Sequence, residues 1–125
     1  MTVVVDTSVL IDFLRGDPRA ARCLYKEREE SALHASEITR LEVLACMRPA
    51  EETATRLLLS TLIWHPVDAV VAEEAGALGR EWLPSHHNID GADLAIAATA
   101  ICTGSRLVTR NTRHFPMFAG LQPPY

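Results

Sequence analysis

The chain has 125 residues, of which 48% are hydrophobic and 22% charged, and its formal net charge is -4. This balance is typical of a globular domain and excludes an intrinsically disordered chain, collagen and a coiled coil. We therefore expect one domain spanning residues 1–125, large enough to bury a hydrophobic core without disulfide or metal crosslinks.

Neither a leader peptide nor a membrane-spanning segment is predicted. The longest apolar stretch, Leu94–Cys102, has nine residues and is interrupted by Thr99, whereas a spanning helix needs about 20. The three cysteines, Cys23, Cys46 and Cys102, are odd in number and widely spaced. We expect free, buried thiols in a reducing cytoplasm and no contact with a membrane.

The first half of the chain alternates short β-branched runs with segments in which apolar residues recur at helical spacing. Such alternation predicts strands joined by helices. The elements predicted there are a strand over Thr2–Val5, a helix over Ser8–Leu14 that Gly16 ends, a helix from Pro18, a strand over Leu33–Ala35 and a helix from the N-cap Ser36 to Pro49.

The second half continues this pattern. Its predicted elements are a helix over residues 50–62, a strand at Leu62–Trp64, a helix from Asp68 to Leu83, a helix from Asp90 to Ala100 with Gly104 at its C′ position, and a strand over Leu107–Thr109. Strands separated by helices need crossover connections. The predicted fold class is therefore α/β, with a central parallel sheet of about four or five strands and helices on both faces.

Two of the helices are predicted to turn an apolar stripe toward the core. The residues assigned to these stripes are Ala21, Leu24 and Tyr25 in the helix after Pro18, and Ile38, Leu41, Leu44 and Ala45 in the helix after Ser36. Spacings of three and four residues place each set on one side of its helix.

Four polar residues fall where predicted strands end. Asp6 follows the first strand, Glu42 lies within two turns of the helix after the second, Asp93 opens the helix before the last strand, and Asn111 lies just beyond that strand. Parallel strands end at the same edge of a sheet, which is where ligands bind. Carboxylates gathered there repel one another, and a hard cation such as Mg²⁺ or Mn²⁺ offsets that repulsion. The sequence therefore predicts a divalent-metal site.

Each of these residues also has a purely structural interpretation. Asp6 can cap the first helix, Glu42 can belong to a capping box, and Asp93 can be the partner of Asp90 in another capping box. Asn111 can simply shape a turn. Capping explains each residue singly, but it does not explain why all of them fall at one edge of one sheet.

The end of the chain is locally basic. From Leu94 onward there is no Asp or Glu, while Arg106, Arg110, Arg113 and His114 all fall there. Arg110 and Arg113 can hold a phosphate backbone, a contact that does not read sequence. Ordinary surface charge is an equally good interpretation of these two arginines.

Four segments, in this order, carry a resemblance to a known family over nearly the whole chain. They are VVVDTS at Val3–Ser8, SEITRLE at Ser36–Glu42, DGADLAIAATA at Asp90–Ala100 and LVTRNTRHF at Leu107–Phe115. They resemble the PIN-domain ribonucleases and, within them, the VapC-type toxins of toxin–antitoxin pairs. The resemblance implies a PIN-like three-layer α/β/α fold and a Mg²⁺- or Mn²⁺-dependent endoribonuclease.

The resemblance also implies roles for individual residues. Asp6, Glu42 and Asp93 match the metal-binding acids, and Asn111 is a catalytic residue at the fourth acidic position of the family. Asparagine there is a departure from the family pattern, and it weakens the case for a second stably bound metal. Supporting contacts are implied for Asp90, Thr7, Ser8 and Thr112, and RNA contacts for Arg110 and Arg113.

The partners implied by the resemblance are an RNA substrate and a cognate VapB-type antitoxin, a segment of which lies across the active groove. A homodimer and a larger toxin–antitoxin complex are implied as well. The apolar stripe formed by Ala20, Leu24 and Leu44 can serve the antitoxin contact or be ordinary core.

Two other functions compete with this one. The first is a phosphatase of haloacid-dehalogenase type, in which an acid at the end of the first strand is the nucleophile. That chemistry needs a second acid two residues on, where this chain has Ser8. The second is a catalytically inert binding module on a PIN-like scaffold, against which the intact acids argue.

Overall fold

A computed structural model describes residues 1–125 and shows short strands alternating with helices. The strands are β1 (Val3–Val5), β2 (Leu33–Ser36), β3 (Ile63–His65) and β4 (Arg106–Val108). The helices are α1 (Thr7–Leu14), α2 (Pro18–Glu30), α3 (Glu37–Cys46), α4 (Glu52–Ser60), α5 (Ala69–Trp82) and α6 (Gly91–Cys102). Single 3₁₀ turns occupy Pro49–Glu51 and Thr112–His114.

The four strands form one parallel sheet in the order β3-β2-β1-β4. Helices cover both faces, so the predicted three-layer α/β/α fold is confirmed, with four strands. Val4 pairs with His34 on one side and Leu107 on the other, which places β1 in the middle of the sheet. All strands run the same way, so Asp6, just past β1, lies at the edge where β2 and β4 also end.

Two hydrophobic cores lie on opposite faces of the sheet because successive residues of β1 point to opposite sides. Val3 and Val5 pack in one core with α1, α2 and α4, and Val4 packs in the other with α5 and α6. The helix α6 is buried along most of its length, from Asp93 to Ala100. Its small residues let this helix lie close against the sheet, which brings its first turn beside the end of β1.

The capping signals of the sequence are confirmed. Ser36 accepts a hydrogen bond from the Ile38 N–H at 3.2 Å, and Asp68 accepts one from the Val71 N–H at 3.0 Å. Gly104, beyond the end of α6, adopts φ 63°, a conformation that side chains with a Cβ disfavour. The limits of the helices are thus set locally, by residues that satisfy exposed backbone groups.

Three assignments to the core are wrong. Tyr25 is 65% exposed, Leu41 is 60% exposed, and Ala45 is exposed as well. Apolar residues at spacings of three and four define more than one stripe on each helix, and packing against the sheet selects between them. On α2 the buried stripe contains Ala20 and Leu24, and on α3 Val43 is buried instead of Leu41.

The cysteines are free, as predicted, but they are not buried. Cys46 and Cys102 are exposed and Cys23 is half-buried. Cys46 and Cys102 are the last residues of α3 and α6, where each helix extends past the sheet it packs on.

None of the six helices combines the length and the hydropathy that crossing a bilayer requires.

A pair of histidines joins the edge strand β3 to its neighbour β2. His34 Nδ1 lies 2.7 Å from His65 Nε2, and the rings stack with centroids 5.0 Å apart. An N–H···N hydrogen bond needs a lone pair on one nitrogen, so the pair cannot carry a proton on every ring nitrogen. Burial, and then the charge of His65, lower the pKa of His34 below its ordinary 6.5.

This histidine pair predicts a pH-dependent stability. Because the pKa of His34 is lowered on folding, the unfolded chain binds more protons there, and the stabilisation is complete above pH 6.5 and is lost as the pH falls below it. We expect His34→Gln to reduce the decrease in Tm between about pH 7 and about pH 5. Calorimetric melting of both proteins across this range checks it, and parallel curves would contradict it.

Candidate active site at the carboxyl edge of the sheet

Asp6 is a buried carboxylate at the end of β1. Its side chain is 3% exposed, and its Oδ2 accepts hydrogen bonds from the Ser8 and Thr109 hydroxyls, each at 2.7 Å. Although Asp6 occupies the N-cap position of α1, its side chain caps no backbone N–H. Its side chain therefore does not serve as a helix cap.

Asp93 lies in the first turn of α6 and is 9% exposed. Its Oδ2 accepts a hydrogen bond from the Asp90 N–H at 3.1 Å, and Asp90 Oδ1 accepts one from the Asp93 N–H at 2.8 Å. The capping box considered for this pair is thus present. The same Oδ2 also lies 3.1 Å from Nδ1 of His114, so Asp93 has a contact that capping does not require.

Glu42 is half-buried on α3. Its Oε1 accepts a hydrogen bond from the Thr7 hydroxyl at 2.6 Å, and that hydroxyl is also 3.1 Å from Oγ1 of Thr39. Thr7 directly follows Asp6 in the chain. Glu42 is therefore tied to the start of α1, on the side of the site away from Asp93, and it does not cap its own helix.

The residues predicted beyond β4 form a small polar pocket, lined by Arg110, Asn111, Thr112, Arg113 and His114. Asn111 is exposed, and its backbone N–H donates to the Thr109 hydroxyl at 2.9 Å. Its side chain makes no hydrogen bond to the protein, so its amide is free to contact a ligand. Thr112 is half-buried in the following turn.

The two candidate RNA-binding arginines differ in their surroundings. Arg110 forms an ion pair with Asp12 at 2.9 Å, and its guanidinium lies 5.5 Å from the ring centroid of Tyr125. Tyr125 donates a hydrogen bond to the same carboxylate at 2.8 Å. Arg113 is exposed and forms no ion pair. Of the two, Arg113 is the cation available to an external phosphate.

The electrostatics of Asp93 are those of a buried acid near other carboxylates. Burial, followed by the nearby charge of Asp90, raises the pKa of Asp93 to about 6, and the charge of Asp6 contributes in the same direction. The Asp90 N–H and His114 oppose this rise. A buried carboxylate whose charged form is disfavoured in this way gains from a nearby cation.

The donor atoms suit a hard divalent cation. All hydrogen bonds accepted by Asp6, Asp93 and Glu42 go to one oxygen of each carboxylate, leaving the other oxygen without a protein partner. No three His, Cys, Asp or Glu side chains of the chain are gathered as a metal site. Mg²⁺, however, is commonly held by only one or two carboxylates and retained waters. The Asp6–Asp93 pair fits that requirement, with Glu42 alongside.

Two residues of the site were absent from the sequence-based set. Thr109 and His114 each contact a predicted acid, although they lie 103 and 21 positions from it. Both fall within the LVTRNTRHF segment, of which the predicted site includes only the asparagine, Thr112 and the two arginines. The position of Thr109 as the first residue past β4 was the available signal, whereas nothing local identifies His114.

Comparison with known proteins shows the family to which the chain belongs. The PIN domain family model matches residues 3–121. This chain belongs to the PIN-domain family. Within it, the chain is similar to Ribonuclease VapC19 of Mycobacterium tuberculosis, with 44% identity over 98% of each chain. It is also 37% identical to Ribonuclease VapC10 of the same organism, over 98% of this chain and 92% of that one. It is thus a PIN domain of the VapC type.

A solved structure supports the same assignment. This PIN domain matches a toxin–antitoxin complex from Klebsiella pneumoniae with a TM-score of 0.82 and 31% identity, over 99% of this chain and 98% of that chain.

The raised pKa of Asp93 predicts that this residue lowers the stability of the metal-free domain. A carboxyl with a raised pKa binds its proton more tightly when folded, so stability is lost as the pH rises from 3.8 through about 6. Asp93→Asn should therefore be more stable than wild type at pH 8, by about 1–2 kcal/mol once solvent screening is considered. The difference should vanish below pH 3.8.

Chemical denaturation in EDTA at several pH values measures this difference. Glu29→Gln is the matched control, because it removes an equal charge from an exposed position on α2 and leaves the groups around Asp93 in place. An Asp93→Asn variant that is less stable than wild type at pH 8 would show that the carboxylate is stabilising, contrary to the expectation.

Proposed function

We propose that this VapC-type PIN domain is a Mg²⁺- or Mn²⁺-dependent endoribonuclease, the toxin of a toxin–antitoxin pair. One observation carries the proposal. Asp6 and Asp93 are two buried carboxylates at the carboxyl edge of the sheet, each with one oxygen that accepts no hydrogen bond. The relatives named as ribonucleases, at 44% and 37% identity over almost the full chain, support the choice of RNA as substrate.

The position of each residue predicts its role in holding the cation. Asp6 and Asp93 would hold the cation directly, and Glu42 would either join them or orient a water through its unengaged oxygen. When bound, a divalent cation supplies charge stabilisation at the scissile phosphate and a water that loses its proton more easily. Ser8 and Thr109 keep the Asp6 carboxylate oriented by donating hydrogen bonds to its Oδ2.

The polar pocket beside the acids would hold the RNA. Arg113 provides an unpaired cation and Asn111 an unengaged amide, both next to His114 and hence to Asp93. Phosphate contacts of this kind position a strand without reading its sequence. Arg110 would contribute less, since its charge is already paired with Asp12.

The phosphatase alternative is disfavoured by a specific contact. At the position where haloacid-dehalogenase chemistry needs its second acid, Ser8 donates a hydrogen bond to Asp6. A serine there supplies no carboxylate for proton transfer to a leaving group. Membership of the PIN-domain family points the same way.

Cleavage of RNA by the antitoxin-free protein tests the proposal. We expect cleavage in Mg²⁺ or Mn²⁺, none in EDTA, and a loss of about 100-fold or more in the Asp93→Asn variant, because a ligand to the cation is gone. The control is Glu29→Gln, which removes an equal charge from an exposed position on α2. The readout is gel analysis of a labelled mixture of structured RNAs.

The alternatives predict other outcomes. Cleavage that persists in Asp93→Asn would contradict the assignment of the site. Hydrolysis of a generic phosphomonoester without RNA cleavage would favour the phosphatase. Divalent-metal binding without either activity would favour an inert module.

The proposed function includes a cognate VapB-type antitoxin, and the structure offers a surface for it. A groove of about 280 Å³ between α1, α2 and α4 is lined mainly by apolar side chains. Tyr25 and Leu57 on its rim are 65% and 68% exposed. Of the stripe considered earlier, Leu24 lines this groove, whereas Ala20 is fully buried in the core. The resemblance to a solved toxin–antitoxin complex supports an antitoxin segment as the occupant.

Substitution of the groove tests this contact. We expect Leu57→Ser and Tyr25→Ala each to weaken antitoxin binding by about 10-fold, since truncating an apolar contact costs on the order of 1.4 kcal/mol. Val70→Ser, a 68% exposed apolar position on α5, is the matched control. Calorimetric titration with the antitoxin measures affinity, and light scattering of the same samples tests the proposed toxin homodimer and larger complex. Loss of affinity only in Val70→Ser would place the antitoxin elsewhere.

A further inference from the structure

The segment that follows β4 touches both facing carboxylates. Thr109 donates to Asp6 Oδ2 at 2.7 Å, and five residues later His114 Nδ1 lies 3.1 Å from Asp93 Oδ2. Two side chains of one short segment therefore contact Oδ2 of Asp6 and Oδ2 of Asp93. The spacing of the two acids depends on how rigidly this stretch is held.

His114 sits on a well-anchored turn. It ends the 3₁₀ turn Thr112–His114, its N–H donates to the Asn111 carbonyl at 2.9 Å, and the next residue, Phe115, is fully buried in the core. Asn88, from the loop before α6, donates to the Arg113 carbonyl at 3.4 Å. The imidazole is thus fixed at its base while its ring reaches Asp93.

A carboxylate needs more than one donor to fix its orientation. The terminal torsion of an aspartate side chain is broad and roughly two-fold, so the Asp90 N–H alone would let the Asp93 carboxylate rock. The contact of His114 Nδ1 with the same oxygen restricts this rotation. It leaves Oδ1 as the oxygen of Asp93 that has no protein partner.

We propose that His114 is a positioning residue for Asp93, whose Nδ1, 3.1 Å from Oδ2, restrains this carboxylate so that Oδ1 is presented to the cation. This inference rests on the proposed metal-dependent function and adds to it a residue outside the acid set. Hydrogen bonds from neighbouring residues commonly orient metal-binding side chains in this way. The other ring nitrogen is not needed for the role.

The test compares two substitutions of His114 in the full-length protein. His114→Ala removes the donor, whereas His114→Asn places an amide N–H close to the position of Nδ1. We expect Mn²⁺ affinity, measured by electron paramagnetic resonance of the free ion, to fall by about 10-fold in His114→Ala and to stay within about threefold of wild type in His114→Asn. His87→Ala, an exposed loop histidine, is the control.

A second readout separates positioning from folding. In RNA cleavage, His114→Ala should need about 10-fold more Mn²⁺ for half-maximal activity, with an unchanged KM for RNA and an unchanged Tm in EDTA. A rise in the KM for RNA at saturating Mn²⁺ would instead make His114 an RNA contact and overturn the inference.

The failures of the two proposals are distinguishable. If wild type binds no Mn²⁺ and cleaves no RNA, the metal-dependent function is wrong and the role of His114 falls with it. If wild type binds Mn²⁺ and His114→Ala binds it equally well, only the inference about His114 is wrong. An Asn variant as weak as the Ala variant would also contradict it, since the Nδ1 donor would then not be the property that matters.

Discussion

The carboxylate of Asp6 is nearly removed from solvent at the end of the central strand, and the rest of the site is arranged around it. Burying a carboxylate without partners is expensive, and the cost is offset here by hydroxyl donors from α1 and from the end of β4. Those donors engage one oxygen only. The other oxygen, which accepts no hydrogen bond, is where a cation would gain the most from the protein.

Asp93 shows that a structural and a functional interpretation of one residue are compatible. Its backbone N–H and its Oδ2 complete the capping box that starts α6. Its other oxygen, Oδ1, accepts no hydrogen bond from the protein. The cap fixes the first turn of the helix, so the same hydrogen bonds that begin α6 also hold the carboxylate in a buried position. Its raised pKa is the electrostatic consequence, first of that burial and then of the neighbouring charge of Asp90.

Paired charges, an unpaired cation and an apolar rim lie on different surfaces of this protein. The cation of Arg110 is held by Asp12 and Tyr125, which attaches the last residue of the chain to α1. Arg113 is left without an acidic partner beside the acids. The apolar rim of Tyr25 and Leu57 lies on another face, between α2 and α4. The free cation beside the acids and the apolar rim are therefore separate surfaces of the domain.

The sequence by itself determined what depends on neighbouring residues. The β-branched run of β1, the caps at Ser36, Asp68 and Asp90, and the parallel α/β class were all predictable, because each follows from local backbone preferences and spacing. The meeting of Asp6 with Asp93 was also predictable, since parallel strands end at a common edge.

Only the tertiary structure decided which groups touch across long stretches of chain. Thr109 reaches Asp6 over 103 positions, and His114 reaches Asp93 because Phe115 anchors a turn whose direction no local pattern specifies. The same holds for Tyr25, which has the spacing of a core residue and lies on the surface. Such contacts are set by how whole layers pack, and packing selects among faces that the sequence leaves equally apolar.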